Sequence, residues 1–197
     1  MHLFKFLCLV VLTLLVSPAC SKEDKQQAQA REFSPAKQSG LTFNAPDDWT
    51  QEQPQSRMRR AQYRLPKVDG DREDAQVVVF YFGGSGGSVQ ANVDRWVGMF
   101  TKEDGTPAAD ASKVSKKQVN GLPVTIVDVS GTYNSQSMGP MGSAQGSDSA
   151  SKPHFRMLAA VAETSTGPWF IRLTGPKNTV DKWEKSFFTF VDTFKES

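Results

Sequence analysis

Six apolar residues in succession, Val77-Val78-Val79-Phe80-Tyr81-Phe82, mark a strand with no wet face, because a half-exposed strand would alternate apolar and polar positions. Gly83-Gly84-Ser85-Gly86-Gly87 stops it, the glycines being free to take the positive φ values that other residues resist. A helix is predicted next, from about Ser88 to Phe100, with Ser88 at the N-cap and Val89, Val93, Trp96, Val97 and Phe100 on one stripe. Such a stripe has to lie against a sheet. A second one, Val180, Trp183, Phe187, Phe190, Val191 and Phe194, predicts a final helix capped by Asn178 or Thr179. Asp181 and Glu184 fall in its early turns and Lys195 in its last, as the helix dipole favours.

The remaining pattern reads as strands. Leu41 to Pro46 alternates and ends at a proline, a short first strand, followed by an Asp47-Asp48 turn that Trp49 anchors by packing inward. Arg59 to Leu65 sets Ala61, Tyr63 and Leu65 on one side and Arg60, Gln62 and Arg64 on the other, a half-buried strand placed at a sheet edge. Lys67 to Asp74 is a charged loop, and Thr101 to Ser112 is polar. A weak strand at Lys113 to Val119 meets a buried one at Val124 to Tyr133 across Asn120-Gly121, a dipeptide that accepts positive φ at both positions. Asn134 to Lys152 has no periodicity and reads as a long mobile loop. Phe155 to Glu163 and Trp169 to Leu173 form a further hairpin around Ser165-Thr166-Gly167-Pro168. The class is α+β: a mainly antiparallel sheet of about seven strands flanked by two amphipathic helices, within residues 40–197.

Before this domain, Lys5, the apolar run Phe6 to Val16 and Ser17-Pro18-Ala19-Cys20 follow the order of an export signal. The run is short of the roughly 20 residues that span a bilayer. Its ending resembles a bacterial lipoprotein signal. That resemblance implies removal of residues 1–19, a diacylglycerol thioether on Cys20 and an N-acyl chain, such as palmitate. The class favours leucine where this chain has Ser17, so the alternative is ordinary cleavage after Ala19, giving a secreted soluble protein with a free thiol. With two or more acyl chains, Cys20 would anchor the protein stably in a lipid bilayer. No aspartate follows Cys20 directly, which in a Gram-negative cell implies the outer membrane, facing the periplasm. Residues 20–39 are polar, with Phe33 the single large apolar side chain, and read as a tether.

Composition adds exclusions. The charged fraction of 22% and net charge of +2, or +1 once Lys5 leaves with the signal, give no general reason to bind nucleic acid. Cys8 and Cys20 both belong to the leader or its end, so the domain holds no cysteine nucleophile, disulfide or thiolate metal site. No cofactor is expected.

The order of elements resembles the PsbP and Mog1-like α/β/α sandwich. Leu41-Thr42-Phe43-Asn44-Ala45-Pro46-Asp47-Asp48-Trp49 looks like its usual opening. Phe80-Tyr81-Phe82-Gly83-Gly84-Ser85-Gly86-Gly87-Ser88 looks like a stretch of uncharacterised bacterial envelope proteins of that shape. The resemblance implies a binding or assembly role and supplies no catalytic residues.

Candidate chemistry is sparse. The glycine turn lacks the Gly-Lys-Ser/Thr ending of a phosphate loop, and tight packing explains it better. Arg57, Arg59, Arg60, Arg64 and Lys67 run without an intervening acid, with Arg60 and Arg64 on one strand face and Arg59 on the other. They suit an anionic ligand or an envelope protein with an acidic surface, or else a solvated edge that discourages aggregation. No aromatics interleave them for base stacking, so nucleic acid is not a partner. His154 is the sole histidine after the leader, and a hydrolase would have to use it with a serine, although no Gly-x-Ser-x-Gly elbow exists. Met138 and Met141 make too thin a soft-metal site but would serve as apolar contacts for a partner. The reading is an anchored binding or assembly module of the cell envelope, with the 134–152 loop and the Arg60 and Arg64 face as contact surfaces. The alternatives are an envelope hydrolase or a structural subunit of an envelope complex.

Overall fold

The computed structural model describes residues 40–134 and 151–197. The signal, the tether with Cys20, and the loop residues Met138 and Met141 lie outside the described residues.

Alternation and apolar runs build one sheet from β1 (Thr50–Glu52), β2 (Arg59–Leu65), β3 (Ala75–Tyr81), β4 (Phe100–Thr101), β5 (Lys113–Val119), β6 (Leu122–Tyr133), β7 (Lys152–Thr164) and β8 (Gly167–Pro176). The helices are α1 (Val89–Val97) and α2 (Lys177–Asp192). The strand order is β1-β2-β3-β8-β7-β6-β4, with β5 also paired to β6. Every pairing is antiparallel. Because successive side chains alternate across a sheet, β3 sends Val77 and Val79 into one core and turns Phe80 toward the other. The first core holds the α2 stripe, and the second holds Val93, Trp96 and Val97 of α1. The two helices therefore cover opposite faces, and the strand without a wet face is explained.

The long elements match their patterns, and the short ones do not. Leu41 to Pro46 is no strand: it makes a single bridge, Thr42 to Lys195, beside the end of α2. Phe43 packs there on Phe190 and Phe194, so the alternation reflects docking on a helix and not sheet pairing. Phe100 leaves α1 after Gly98 and joins β4, while remaining buried. The β1 and β4 strands, of three and two residues, are too short to carry a period and bring the count to eight. β2 is not the outermost strand, since β1 pairs with Gln62 to Arg64. Asn120 and Gly121 both take positive φ, 48° and 85°, as the hairpin requires.

The cap of α2 comes from afar. Neither Asn178 nor Thr179 occupies the N-cap, which is Pro176. Instead Asp71, in the charged loop, accepts hydrogen bonds from the Thr179 backbone N–H at 2.9 Å and the Thr179 hydroxyl at 2.6 Å. A carboxylate at a helix N-terminus satisfies free N–H groups and opposes the dipole. Asp71→Ala is expected to cost about 1 kcal/mol, read as a lower urea midpoint at unchanged m-value, and Asp71→Asn to cost less.

Candidate functional site

α1 is a nine-residue helix, about 13 Å long at 1.5 Å per residue. It faces a sheet of eight strands spaced about 4.8 Å apart, so it shields only part of that face. Its core gathers residues of β6, β7 and the near end of β8. Farther along the face, β2, β3 and β8 present Arg59, Gln62, Gln76, Arg172 and Thr174, which belong to neither core. That polar half of the sheet is the candidate site.

A bulge decides which arginine belongs to it. The β2–β3 register slips between Arg59 and Ala61, so that Arg59 pairs with Phe80 and Ala61 with Val79. An extra residue in one strand reverses side-chain facing on either side of it. Arg59 consequently joins the Gln62 and Arg64 face. Its Nη1 donates to Gln62 Oε1 at 2.6 Å and to Gln76 Oε1 at 3.4 Å. Arg60 instead lies 5.6 Å from the centre of the Tyr81 ring, which stacks on Trp169 against the other core. The expectation that Arg60 and Arg64 share a face, with Arg59 opposite, is thus corrected by the bulge. Arg57 sits exposed in the preceding turn.

Around this centre the acids are engaged. Arg64 reaches Asp74 at 3.0 Å and Glu52 at 3.5 Å. The Lys67 N–H and then Arg64 hold the Asp74 carboxyl below its ordinary range. Lys152 pairs with Glu73 at 2.7 Å and lies over Phe155, which stacks on Tyr133. Gln62, only 1% exposed, uses both ends of its amide: it accepts from Arg59 and donates to Glu52 at 2.8 Å. Arg172 rises from the apolar strand β8 and stands 5.2 Å from the centre of the Phe80 ring. Burial pushes its guanidinium below the ordinary value; Tyr133 opposes this, and Arg95 and Arg59 add to it. Burial alone lowers Arg59. A cavity of about 360 Å³ opens among Arg59, Arg172, Tyr133, Lys152 and Thr174.

A second charged cluster lies on the α2 face. Arg156 of β7 forks onto Asp128 of β6 with two bonds of 2.9 Å, and its Nη1 reaches Asp181 and Glu184 of α2, each at 2.7 Å. Asp128 foremost, with Glu184 and Asp181, raises the Arg156 pKa despite burial. The acids placed early in α2 therefore serve as ligands for this arginine. This cluster joins helix to sheet.

The other candidates are not assembled. His154 is exposed at φ 57°, and among the described residues it makes no hydrogen bond to a hydroxyl or a carboxylate. Gly83, Gly84 and Gly87 take φ of 61°, 82° and 81°, while a Cβ on Gly86 would meet the Phe170 ring at 2.4 Å. Ser88 caps Ala91, and Asn92 donates to the Gly86 and Ser88 carbonyls, each at 2.9 Å. Packing accounts for the turn. Among the described residues, no group of three or more His, Cys, Asp and Glu side chains is placed to hold a metal ion.

No family model and no curated protein matches the chain. Among solved structures it is similar to a Pseudomonas aeruginosa protein of unknown function, at 14% identity and TM-score 0.44, over 78% of this chain and 94% of that one. It is similar also to cyanobacterial PsbP of Synechocystis, at 11% identity and TM-score 0.45, over 82% and 95%. A Bacteroides thetaiotaomicron protein aligns at 12% identity and TM-score 0.38, over 80% of this chain and 45% of that one. The α/β/α architecture rests on the strand order and on the two helices that cover opposite faces of the sheet.

Proposed function

We propose that the protein is an exported lipoprotein, held to the envelope membrane through Cys20, whose domain binds a partner and performs no catalysis. The supporting observation is the polar half of the sheet, where Arg59 is half-buried against amide oxygens and belongs to no ion pair among the described residues. A cation partly withdrawn from water and given no acid has a desolvation cost that a stabilised fold would avoid. An anionic or acidic partner offsets that cost on binding. The 134–152 segment begins and ends beside Tyr133 and Lys152, two residues of the cavity wall, and its Met138 and Met141 are proposed as further contacts. The hydrolase alternative has no such support, since no described residue sets a nucleophile in hydrogen-bond contact with His154.

The test is recovery of partners from detergent-solubilised envelopes by the tagged full chain. Arg59→Glu and deletion of residues 135–150 should each reduce specific recovery, whereas Lys116→Glu on the exposed β5 strand should not. Equal recovery by all four proteins would remove this surface from consideration.

A further inference from the structure

We propose that the cavity between Arg59 and Arg172 binds a phosphate-class oxyanion. The proposal rests on reading the polar sheet face as the contact surface, and it gives that face a ligand chemistry.

The donors come first. Arg59 spends Nη1 on two neutral amide oxygens, and its Nε and Nη2 hydrogens meet no acceptor among the described residues. A guanidinium fixed by amides keeps its whole charge for an incoming anion, and its fork matches two oxygens of one phosphate. Arg172 lines the same cavity. The Phe80 ring lies 5.8 Å from the Arg59 carbon and 5.2 Å from that of Arg172, so a single aromatic side chain positions both guanidiniums. Tyr133 and Thr174, also on the wall, carry hydroxyls able to donate.

The acids on the wall do not cancel this charge. Glu73 is taken by Lys152, and Asp74 by Arg64 and the Lys67 N–H. The ionised wall residues are Arg59, Arg172 and Lys152 against Glu73 and Asp74, 3 − 2 = +1. Arg95 adds positive potential at Arg172 from the α1 side. The charge open to a ligand is that of Arg59, since both acids already have cations. With about 360 Å³, the cavity has room for a phosphate carrying a small substituent. Two sources present that chemistry: a soluble phosphate monoester, and the glycerophosphate headgroup of an anionic lipid.

The experiment uses the full chain with Cys20→Ser, so that no acyl chain contributes. Glycerol 3-phosphate is titrated by calorimetry, and co-sedimentation is measured with phosphatidylglycerol and with phosphatidylcholine vesicles. Arg59→Gln should weaken binding about tenfold or more, the loss expected for a hydrogen bond to a charged group. Arg172→Lys, which keeps the charge and loses the fork, should weaken it less, and Arg57→Gln in the exposed turn should leave it unchanged. Saturable binding of glycerol 3-phosphate that depends on Arg59 supports the site with a soluble ligand. Arg59-dependent binding to phosphatidylglycerol vesicles alone supports it with a lipid headgroup. The proposal is overturned by no binding in either arm, by an Arg59→Gln protein that binds as the parent does, or by equal losses at Arg57 and Arg59. If Arg59→Glu lowers partner recovery while neither phosphate probe binds, the contact surface stands and the oxyanion is wrong.

Discussion

Phe190→Ala is expected to lower the free energy of unfolding by about 4 kcal/mol, within the range for removing a fully buried phenylalanine. The ring is completely enclosed on the sheet side of α2. It lies 5.3 Å from Phe43, 5.0 Å from Trp49, 6.5 Å from Tyr63 and 5.1 Å from Phe194, centre to centre. It therefore ties the N-terminal segment, β2 and the C-terminal segment to one helix. Truncation leaves a cavity bounded by rigid rings, which close poorly around a void. Urea unfolding followed by tryptophan fluorescence measures the loss. Phe188→Ala, two residues away and only partly buried, should lose much less; comparable losses at the two positions would contradict the packing described.

Arg156→Ala should be the next most damaging, at about 3 kcal/mol, the low end for breaking a buried ion pair. The arginine side chain is 10% exposed, but its three carboxylate partners are 26%, 36% and 41% exposed, and water softens what they lose. Arg156→Met, which keeps the stem's volume, should lose less than alanine. The same cluster predicts an acid limb. Burial acts to raise the Asp181 carboxyl, yet bonds from Lys177 and Arg156 outweigh it and hold the carboxyl below its ordinary value. A folded pKa below the unfolded one gives stability that is full above about pH 4 and fades as pH falls through the folded value. Asp181→Asn should accordingly flatten the stability profile below about pH 4, and an unchanged slope would remove Asp181 from the network.

These two residues show what the chain displays openly and what it conceals. Phe190 belongs to a period of helical spacing that any reading of the pattern finds, and the same holds for β2, β5, the Asn120-Gly121 turn and the covered strand β3. Arg156 and Arg172 carry a quieter signal: each is a charge flanked by apolar residues within a buried run, and a charge there has to find partners. Which partners is a matter of register between strands far apart in sequence, such as Asp128 with Leu158 and Val78 with Arg172. The facing of Arg59 was hidden for a different reason. Strict alternation predicts it opposite to Arg64, and only the one-residue slip at Ala61 brings it round. The Asp71 cap escaped because its acceptor lies 108 residues from Thr179, beyond any local capping pattern.

The proposed anchor would hold an exported domain at a membrane through Cys20, its first mature residue. Mass spectrometry of the protein isolated from its native host tests that directly. The expected N-terminal fragment begins at Cys20 and carries the added mass of a diacylglyceryl group and an acyl chain. A mature chain still beginning at Met1, or one beginning at Cys20 with an unmodified thiol, would contradict the anchor.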